Sequence, residues 1–368
     1  MNAAKKRKKI GLVVHSCSFT GAPLLGLNLA RYYRHKGYDV YTLCLEKGVL
    51  FDQYKKYGRI FYARNLMAAK MIMKLLSFIG VKNVICNSVV SGDMVKIAHD
   101  HKMKVISLVH ELPGNIVALN AKDKAKTIAA FSDKVVFPAY FVKSKFAGLL
   151  HVREENFLIR PQGLYKKPYP AYDEATRLQK KREMGFLPQD KIVIGVGVGN
   201  KVKGVDLFFQ IAGKVQKTDK NVKFIWIGGI DKSCQWLEKL ATDERRLLPP
   251  TKHIEDYYRI ADLFLLSSRE DTFPSVVLEA ISYGVPVLAF KDAGGFTEID
   301  SRFIHLADYL NCDAMSELVV KELSDYERLE DIKRKGRSFI LKQYNFKSYA
   351  EYLLKIFEEI DQKCSNVK

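Results

Sequence analysis

The sequence predicts an α/β protein built from two Rossmann-like domains. Short apolar runs alternate with stretches of helical periodicity along most of its 368 residues, the pattern of βαβ units in a parallel sheet. Residues 160–172, RPQGLYKKPYPAY, interrupt the alternation with three prolines and one glycine, a composition typical of a linker. The length is sufficient for two domains. We therefore expect a first domain over residues 1–165 and a second over residues 166–345, facing each other across a cleft. A final helix at about 346–363 could pack back on the first domain.

The first domain opens with a βαβ unit. Residues 10–15 form an apolar run that predicts a strand, and residues 22–36 have helical periodicity with Pro23 near their start. Gly37 is placed to end this helix before a strand at residues 40–45. Further strands are expected at 84–86, 105–109 and 135–137, with helices at 66–79, 93–101, 122–131 and 140–150.

The second domain repeats this rhythm. Strands are expected at 193–198 and 222–227, with helices at 205–216 and ending at 257–261. A strand at 263–266 is then followed by polar residues 267–271, and Pro274 suits the first turn of a helix that Gly284 ends. A strand at 285–290 completes the unit, and the last helix covers 349–360. Because open parallel sheets bind ligands at the carboxyl ends of their strands, the loop at 267–273 is a candidate binding site.

Composition indicates a globular cytoplasmic protein. Hydrophobic residues make up 48% and charged residues 27% of the chain, and no apolar run approaches the roughly 20 residues of a membrane span. The basic residues 5–9 and the apolar residues after them resemble the start of a signal peptide, but the apolar run is too short. The six cysteines have no metal-ligand spacing, so we expect reduced thiols.

Positive charge is concentrated in the first half of the chain. Residues 1–165 contain 27 Lys and Arg against 10 Asp and Glu, a net charge of +17. Residues 166–368 contain 33 against 31, a net charge of +2. This asymmetry predicts that the first half meets an anionic partner.

The helix at residues 66–79 is basic and amphipathic. Lys70 and Lys74 lie apart from an apolar side formed by Met67, Met71, Leu75 and Phe78. One interpretation places this helix in the interface of an anionic membrane, where each Lys contributes up to about 1 kcal/mol. The other is an ordinary domain helix, packed by its Met and Leu face. The sequence leaves both open.

Two acids frame the loop and helix that follow the strand at 263–266. Asp271 lies in the loop and Glu279 on the helix, with seven residues between them. The segment EDTFPSVVLEAISYGVPV resembles the signature of glycosyltransferase family 4, a family of retaining sugar transferases with the GT-B fold. Asp271 stands where the family usually has Glu, and Thr272 where it has Gly. The matching residues are Phe273, Pro274, Val277, Leu278, Glu279, Ala280, Gly284, Pro286 and Val287.

The resemblance extends over most of the chain and is most specific from 192 to 300. Lys203-Gly204 resembles a K-G-x-D segment, GGFTE at 294–298 a G-G-x-x-E loop, and FIWIGG at 224–229 a strand that leads into a glycine turn. The loop SCSFTGAP at 16–23 stands at the family's glycine-rich loop, and His110 stands where the family commonly has a His. Glycines 195, 197 and 199 do not have the G-x-G-x-x-G spacing of a dinucleotide site.

The resemblance implies roles for these residues. Lys203 would stabilise the leaving diphosphate, Asp271 would hold the sugar and phosphate, and His110 would orient the sugar. Glu279 would bind the ribose hydroxyls. Lys201 could compensate for an Arg that the family supplies and that residues 197–199 lack. The full set expected at the donor is Gly21, Gly197, Lys201, Lys203, Asp271, Phe273, Pro274, Ser275, Val276 and Glu279.

We therefore predict a retaining glycosyltransferase that moves a sugar from a nucleoside-diphosphate sugar to an acceptor hydroxyl, in the synthesis of a cell-surface polysaccharide or glycolipid. The resemblance implies no metal and no cofactor, and the sequence has no D-x-D motif. The expected partners are the nucleotide sugar, a sugar or lipid-linked acceptor and an anionic membrane surface, with the protein peripheral on the inner face of the membrane.

Three alternatives remain. A nucleotide-sugar 2-epimerase shares the fold but acts without an acceptor. A basic nucleic-acid-binding protein would interleave aromatic residues with its cations, and the basic runs at 5–9 and 122–126 do not. A non-catalytic scaffold that keeps the fold would be compatible with the missing Arg.

Overall fold

The computed structural model describes residues 7–366, with side chains described as far as residue 362. The chain forms two compact units. Unit 1 comprises Met1–Gln162 together with Phe346–Lys368, and unit 2 comprises Gly163–Asn345. The first break lies three residues before the position expected from sequence, and the final helix belongs to unit 1. Lys5 and Lys6 of the basic run, and the thiol of Cys364, lie outside the described part of the chain.

Unit 1 is a parallel seven-stranded sheet with helices between successive strands. Its strand order is β3-β2-β1-β4-β5-β6-β7. With labels numbered along the chain, the strands are β1 (Lys9–Val14), β2 (Asp39–Cys44), β3 (Arg59–Tyr62), β4 (Asn83–Asn87), β5 (Lys104–Leu108), β6 (Lys134–Phe137) and β7 (Phe157–Ile159). The helices are α1 (Gly21–His35), α2 (Phe51–Lys55), α3 (Leu66–Phe78), α4 (Gly92–Asp100), α5 (Pro113–Ala118), α6 (Lys122–Phe131), α7 (Tyr140–Leu150) and the returning α14 (Phe346–Asn366).

Helix α14 is tied to α1 by two tyrosines. The hydroxyl of Tyr32 donates to the carboxylate of Glu351 at 2.8 Å, and that of Tyr33 donates to the carbonyl of Ala350 at 3.2 Å. Tyr33 is fully buried, so the last helix completes the core of unit 1.

Unit 2 is a parallel six-stranded sheet in the order β10-β9-β8-β11-β12-β13. Its strands are β8 (Lys191–Val196), β9 (Val222–Ile227), β10 (Arg245–Leu248), β11 (Leu263–Leu266), β12 (Val287–Phe290) and β13 (Ile304–Ala307). Its helices are α8 (Glu174–Glu183), α9 (Val205–Val215), α10 (Ile254–Ile260), α11 (Ser275–Ser282), α12 (Cys312–Ser324) and α13 (Tyr326–Gln343). The predicted α/β class with two Rossmann-like sheets is confirmed.

Strand order reverses once in each sheet. The chain runs outward from β1 through β2 to β3 and then returns to place β4 on the other side of β1. In the same way, β11 lies on the side of β8 opposite to β9. At such a point the connections leave the carboxyl ends of the two central strands in opposite directions, which opens a crevice for a ligand. The candidate sites are therefore expected beyond β1 and β4 in unit 1 and beyond β8 and β11 in unit 2.

Several predicted boundaries differ from the structure. The strand expected at 193–198 ends at Val196, because Gly197 takes a φ of +145°. Pro274 is the N-cap of α11, and the helix begins at Ser275. Four strands escaped prediction, and these are the edge strands of the two sheets, namely β3, β7, β10 and β13.

Helix α3 also corrects one of the two interpretations drawn from its sequence. The side chains that pack into unit 1 are Ala69, Met73 and Leu76. The expectation of a helix packed by its Met67, Met71, Leu75 and Phe78 side is wrong, because these four residues are exposed. Across residues 7–366 no helix is long and apolar enough to cross a membrane.

Candidate functional site

In unit 2, three loops meet beyond the carboxyl ends of β8, β11 and β12. The amide of Arg269, after β11, donates to the carbonyl of Val202, after β8, at 2.8 Å. The amide of Asp271 donates to the carbonyl of Ala293, after β12, also at 2.8 Å. Backbone hydrogen bonds between loops hold these segments in register, so residues distant in sequence share one position at the point where the strand order reverses.

Two glycines allow this close approach. A Cβ on Gly204 would lie 1.9 Å from the carbonyl oxygen of Ser267, and Gly204 has a φ of +68°. A Cβ on Gly294 would lie 1.8 Å from the carbonyl oxygen of Asp271. Any larger residue would separate the loops, so the contacts between backbones explain why glycine stands at both positions.

The centre of this edge is an ion pair between Lys203 and Asp271. The ammonium group of Lys203 donates to Oδ2 of Asp271. The Asp271 side chain is 9% exposed and that of Lys203 is 35% exposed, so the cation is the accessible partner. The amide of Lys203 donates to the Asn200 side chain at 2.8 Å, which fixes the backbone beneath the ammonium. Two residues to which separate roles were assigned from sequence are thus in direct contact.

Arg269 is a residue that sequence reasoning missed. Its guanidinium forms two hydrogen bonds of 2.7 Å to the carboxylate of Asp206, in the first turn of α9. It also donates to the backbone carbonyl of Lys201 at 2.6 Å. Burial raises the pKa of Asp206, but the guanidinium outweighs it, and the net pKa is lowered. The signal in the sequence was an Arg three residues after a buried strand, in a polar segment for which only Asp271 had been assigned a role.

This contact bears on the Arg that the family pattern supplies and that residues 197–199 lack. Arg269 fastens the loop carrying Lys201 and Lys203 to the end of β11, and its charge is matched by Asp206. The side chain of Lys201 is exposed, and that of Lys203 points to Asp271. Arg269 and Asp206 therefore hold the loop in place, and the ion pair with Asp271 fixes the ammonium of Lys203.

Glu279 lies apart from this ion pair, on α11. The hydroxyl of Tyr258, on α10, donates to Oε2 of Glu279 at 3.1 Å. Burial raises the pKa of Glu279, against the lowering effect of the hydrogen bonds from Tyr258 and Ser275. Asp271 and Glu279 therefore have different partners, a lysine for Asp271 and a tyrosine for Glu279.

The start of α11 presents backbone amides beside the loop. Pro274 is the N-cap, so the N–H groups of Ser275 and Val276 belong to the first turn and face the end of the helix. Phe273 is buried, with its ring centroid 5.9 Å from that of Tyr344. An anion beside Ser275 would be stabilised by these amides and by the helix dipole. Because its side chain is buried, Phe273 supports the loop and does not line an open surface.

In unit 1, His110 and Glu111 follow β5 and join residues at the end of β4. The ring Nε2 of His110 lies 3.2 Å from Oδ1 of Asn87. Because Nδ2 of Asn87 donates to the carbonyl of Ala22 at 2.5 Å, its Oδ1 is free to accept a hydrogen bond from the N–H at Nε2. Burial lowers the pKa of His110, although Glu111 acts in the opposite direction. The ring is therefore neutral at pH 7, with Nδ1 as its acceptor atom.

Glu111 bonds to Ser88 and to backbone amides and does not orient the imidazole of His110. Its Oε2 accepts hydrogen bonds from the amides of Val89 at 3.1 Å and His110 at 3.0 Å. Its Oε1 accepts from the hydroxyl of Ser88, a residue with φ of +79°. The carboxylate thus holds together the backbones after β4 and β5, and Asn87, which sequence reasoning missed, orients the histidine. The available signal was that a buried apolar strand ends in a polar residue, Asn87.

His15, at the end of β1, has a lowered pKa because of burial. Its Nδ1 is buried and has no hydrogen-bond partner among the described residues. Gly21 is the first residue of α1 and has no left-handed φ, and a Cβ added to it would meet no atom of the described chain within 4 Å. The fold itself therefore does not require glycine at position 21. The absence of a side chain at this position leaves space beside the loop for a ligand.

The predicted site residues thus fall into two groups. Gly197, Lys201, Lys203, Asp271, Phe273, Pro274, Ser275, Val276 and Glu279 belong to unit 2, whereas Gly21 and His110 belong to unit 1. Among the residues that the structure describes, no group of three or more His, Cys, Asp or Glu side chains could hold a metal ion. The described cysteines are buried free thiols.

Comparison with known sequences adds family evidence. Residues 177–339 match the family described as Glycosyl transferases group 1. The chain is 26% identical over 243 residues to the alpha-galactosylglucosyldiacylglycerol synthase of Streptococcus pneumoniae. The aligned segment covers 62% of this chain and 60% of that protein. It is 20% identical to the N-acetyl-alpha-D-glucosaminyl L-malate synthase of Bacillus anthracis, over 98% of this chain and 99% of that protein.

Solved structures show the same fold. The sucrose-phosphate synthase of Thermosynechococcus elongatus superposes with a TM-score of 0.79 at 15% identity, over 97% of this chain and 100% of that one. HepE of Anabaena, crystallised in complex with UDP, gives a TM-score of 0.78 at 14% identity, over 98% of this chain and 100% of that one. At these identities the likeness establishes the fold and not the substrate.

Proposed function

We propose that this GT-B glycosyltransferase, whose residues 177–339 match the family described as Glycosyl transferases group 1, moves a sugar from a nucleoside-diphosphate sugar to an acceptor hydroxyl with retention of configuration. The observation that carries the proposal is the ion pair of Lys203 and Asp271 where the strand order of unit 2 reverses. The ammonium of Lys203 is accessible, and α11 begins four residues after Asp271, so a diphosphate bound at this edge would meet both the cation and the amino end of the helix.

Lys203 is assigned to the leaving diphosphate. As the bond between the sugar and the diphosphate breaks, negative charge grows on the leaving oxygens, and a fixed ammonium stabilises it. Asp271 holds the ammonium of Lys203 in place before the donor binds. A bound diphosphate would interact with the same ammonium. The amides of Ser275 and Val276 supply further positive potential without a metal ion, so the proposed reaction is metal-independent.

Retention is proposed to occur by a same-face reaction rather than through a covalent intermediate. A carboxylate that is paired with an ammonium is a weakened nucleophile, and Asp271 is paired with Lys203. In the same-face reaction the acceptor attacks from the side that the diphosphate leaves, and the diphosphate oxygen can take the proton of the acceptor. The enzyme then has to hold both substrates and stabilise charge.

The other predicted residues are assigned to recognition. Glu279 is proposed to bind the ribose hydroxyls, for which its carboxylate would exchange the Tyr258 hydrogen bond for hydroxyl donors. His110 is proposed to bind a sugar hydroxyl through Nδ1, because Asn87 occupies Nε2. Gly21 is proposed to allow a ligand to approach the start of α1.

The acceptor is proposed to be a sugar or a lipid-linked sugar of a cell-surface polysaccharide or glycolipid, at the inner face of the membrane. Support comes from the net charge of +17 over residues 1–165 and from the similarity to a protein named as a glycolipid synthase. Cytoplasmic location with peripheral membrane attachment belongs to the same proposal.

The deciding experiment measures donor binding and product configuration. A panel of UDP-, GDP- and ADP-sugars is scored by thermal shift, because a bound donor stabilises the fold by mass action. UDP-glucose is the first choice, since the HepE structure was solved with UDP-glucose. The proposal expects one base to give a clear shift and the matching sugar to appear on an acceptor with its anomeric configuration retained, as read by NMR.

Three results would contradict the proposal. A product in which the anomeric configuration of the sugar is inverted would contradict the same-face mechanism. Conversion of the donor to its 2-epimer without any acceptor would make the chain an epimerase. No shift with any nucleotide sugar would favour a non-catalytic protein.

A further inference from the structure

Helix α3 has two apolar faces, and only one of them packs into unit 1. Ala69, Met73 and Leu76 are at most 1% exposed. On the opposite side, the exposed fractions are 73% for Met67, 68% for Met71, 45% for Leu75 and 88% for Phe78. Four large apolar side chains at i, i+4, i+8 and i+11 form a continuous stripe, which is unusual for the surface of a folded unit.

Lysines line this stripe. At 100° per residue, Lys70 and Lys74 project from the same half of the helix as Met67 and Phe78, along one border of the stripe. Both lysines are exposed. We define the α3 outer face as the six residues Met67, Lys70, Met71, Lys74, Leu75 and Phe78.

The sequence that contains the α3 outer face is cationic, and Asp93 and Asp100, the two acids that line a surface cavity with Lys70, are paired with Lys124 and Lys96. Residues 53–92 contain no Asp or Glu, and their cations are Lys55, Lys56, Arg59, Arg64, Lys70, Lys74 and Lys82. The carboxyl end of α3 adjoins a surface cavity of about 510 Å³, lined by Ile79 and Gly80 and by five cations. These cations are Arg7, Lys8, Lys9, Lys82 and Lys104, with Glu358 and Asp361 as the acids.

We propose that the α3 outer face is a docking surface for a lipid bilayer that contains anionic headgroups. The helix lies in the plane of the bilayer surface, with its Met, Leu and Phe side chains among the acyl chains and its lysines extended to the phosphates. Charge complementarity selects this occupant. A second copy of the chain would bring Lys70 and Lys74 of both copies into one interface, where like charges repel.

The inference deepens the acceptor part of the proposed function and rests on it for its biological meaning. A lipid-linked acceptor is confined to the bilayer surface, so an enzyme held there meets it at high local concentration. The physical claim about α3 can nevertheless be measured without any sugar donor. The test therefore reads lipid binding and nucleotide binding separately.

The experiment is vesicle co-sedimentation of the full chain. Vesicles of phosphatidylcholine with about 30% phosphatidylglycerol are compared with pure phosphatidylcholine at low salt and at about 0.5 M salt. We expect binding to the anionic vesicles, reversed by salt. Lys70→Glu with Lys74→Glu should lower the partition coefficient roughly tenfold or more. Met71→Ser with Phe78→Ser should lower it by a similar factor.

Matched controls carry the same chemical changes elsewhere on unit 1. Lys122→Glu with Lys126→Glu reverses two exposed lysines of α6. Val117→Ser with Leu119→Ser removes two apolar side chains that are 63% and 54% exposed. Both controls should keep clearly more of the vesicle binding than the α3 variants. Circular dichroism and the UDP-sugar thermal shift should be unchanged in all four.

The outcomes separate this inference from the proposed function. Absence of binding to anionic vesicles, or equal loss in control and α3 variants, overturns the docking surface. A chain that elutes as a dimer and becomes monomeric with Met71→Ser and Phe78→Ser also overturns it, because the face would then join two copies. Vesicle binding without any nucleotide-sugar shift supports the docking surface and counts against the proposed transferase reaction.

Discussion

The two units place their candidate residues at equivalent edges of similar sheets, but they hold them in different ways. Unit 2 joins its loops backbone to backbone, with Gly204 and Gly294 where no Cβ fits, and centres them on one ion pair. Unit 1 joins the ends of β4 and β5 by a backbone hydrogen bond from the amide of Ser88 to the carbonyl of Leu108 at 2.9 Å and by the side chains of Asn87 and Glu111. The edge of unit 2 therefore depends on positions where no Cβ fits, whereas this edge of unit 1 depends on the Glu111 carboxylate, which accepts hydrogen bonds from two backbone amides.

The largest expected effect tests the ion pair of unit 2. Lys203→Ala should lower kcat about 100-fold or more, the scale of a lost charge stabiliser in a water-excluded site. Lys201→Ala is the matched control and should cost clearly less, because its side chain is exposed and only its carbonyl is engaged. Steady-state kinetics with the identified donor gives the comparison. Equal losses would mean that the two lysines share the role, and no loss at either would argue against catalysis at this edge.

The second prediction compares a glycine of each unit. Gly294→Ala should destabilise unit 2 by about 1–3 kcal/mol, because its Cβ would overlap the carbonyl of Asp271. For a unit of this size the melting temperature should fall by roughly 2–4 °C per kcal/mol, and donor affinity should fall with it. Gly21→Ala should leave the melting temperature nearly unchanged, since its Cβ meets no described atom. Calorimetry that gives both variants the same melting temperature would contradict the contrast.

The third prediction concerns Glu279, which lies away from the ion pair. Glu279→Gln should lower kcat/KM for the donor roughly 10-fold, about 1.4 kcal/mol, with the main loss in nucleoside-diphosphate affinity. Because burial raises the pKa of Glu279, the neutral amide should not destabilise the fold at pH 7. Isothermal titration with the nucleoside diphosphate, together with a melting curve, checks both parts. A folded variant with unchanged affinity would remove Glu279 from the nucleotide site.

The smallest effect concerns pH, to which the two edges should respond in opposite directions. Burial lowers the pKa of His15 and His110, so the unfolded chain protonates first and unit 1 should lose stability as pH falls below 6.5. Burial raises the pKa of Glu279 above 4.5, so unit 2 should lose this contribution as pH rises above 4.5.

Hydrogen exchange, corrected for intrinsic rates, measures this contrast. Peptides that cover β5 should be compared at pH 7.5 and pH 5.5, and peptides that cover α11 at pH 5.5 and pH 4.5. His110→Asn should weaken the response near β5 and leave that near α11 unchanged. Parallel pH responses in the two units would contradict the assignment of protonation states.

The fold was predictable where strands are buried on both faces. The central strands are near-continuous apolar runs, and their alternation with helices indicated the α/β class. The four missed strands are the sheet edges, where only one neighbour is present. Strand β3, for example, has no fully buried residue, and its sequence RIFY contains only a short apolar run. Periodicity detects burial, so it fails where a strand is half exposed.

The site was predictable as a set of positions and less so as a set of contacts. The pairing of Lys203 with Asp271 follows from β8 and β11 being neighbours, and no pattern within either segment shows which strands are adjacent. The same limit applies to Asn87 and His110. Helix α3 shows another limit, because both of its faces are apolar and periodicity alone does not choose the one that packs.

The return of α14 to unit 1 has a consequence for the order of folding during synthesis. Tyr33 of α1 stays without its packing partner until residues 346–366 have left the ribosome. The intervening 163–345 segment needs roughly 10–40 s of translation at about 5–20 residues per second, and it can fold as a unit in that time. Unit 1, whose strands are synthesised first, therefore completes its core last. Throughout that interval its nascent form exposes the α1 surface that α14 later contacts.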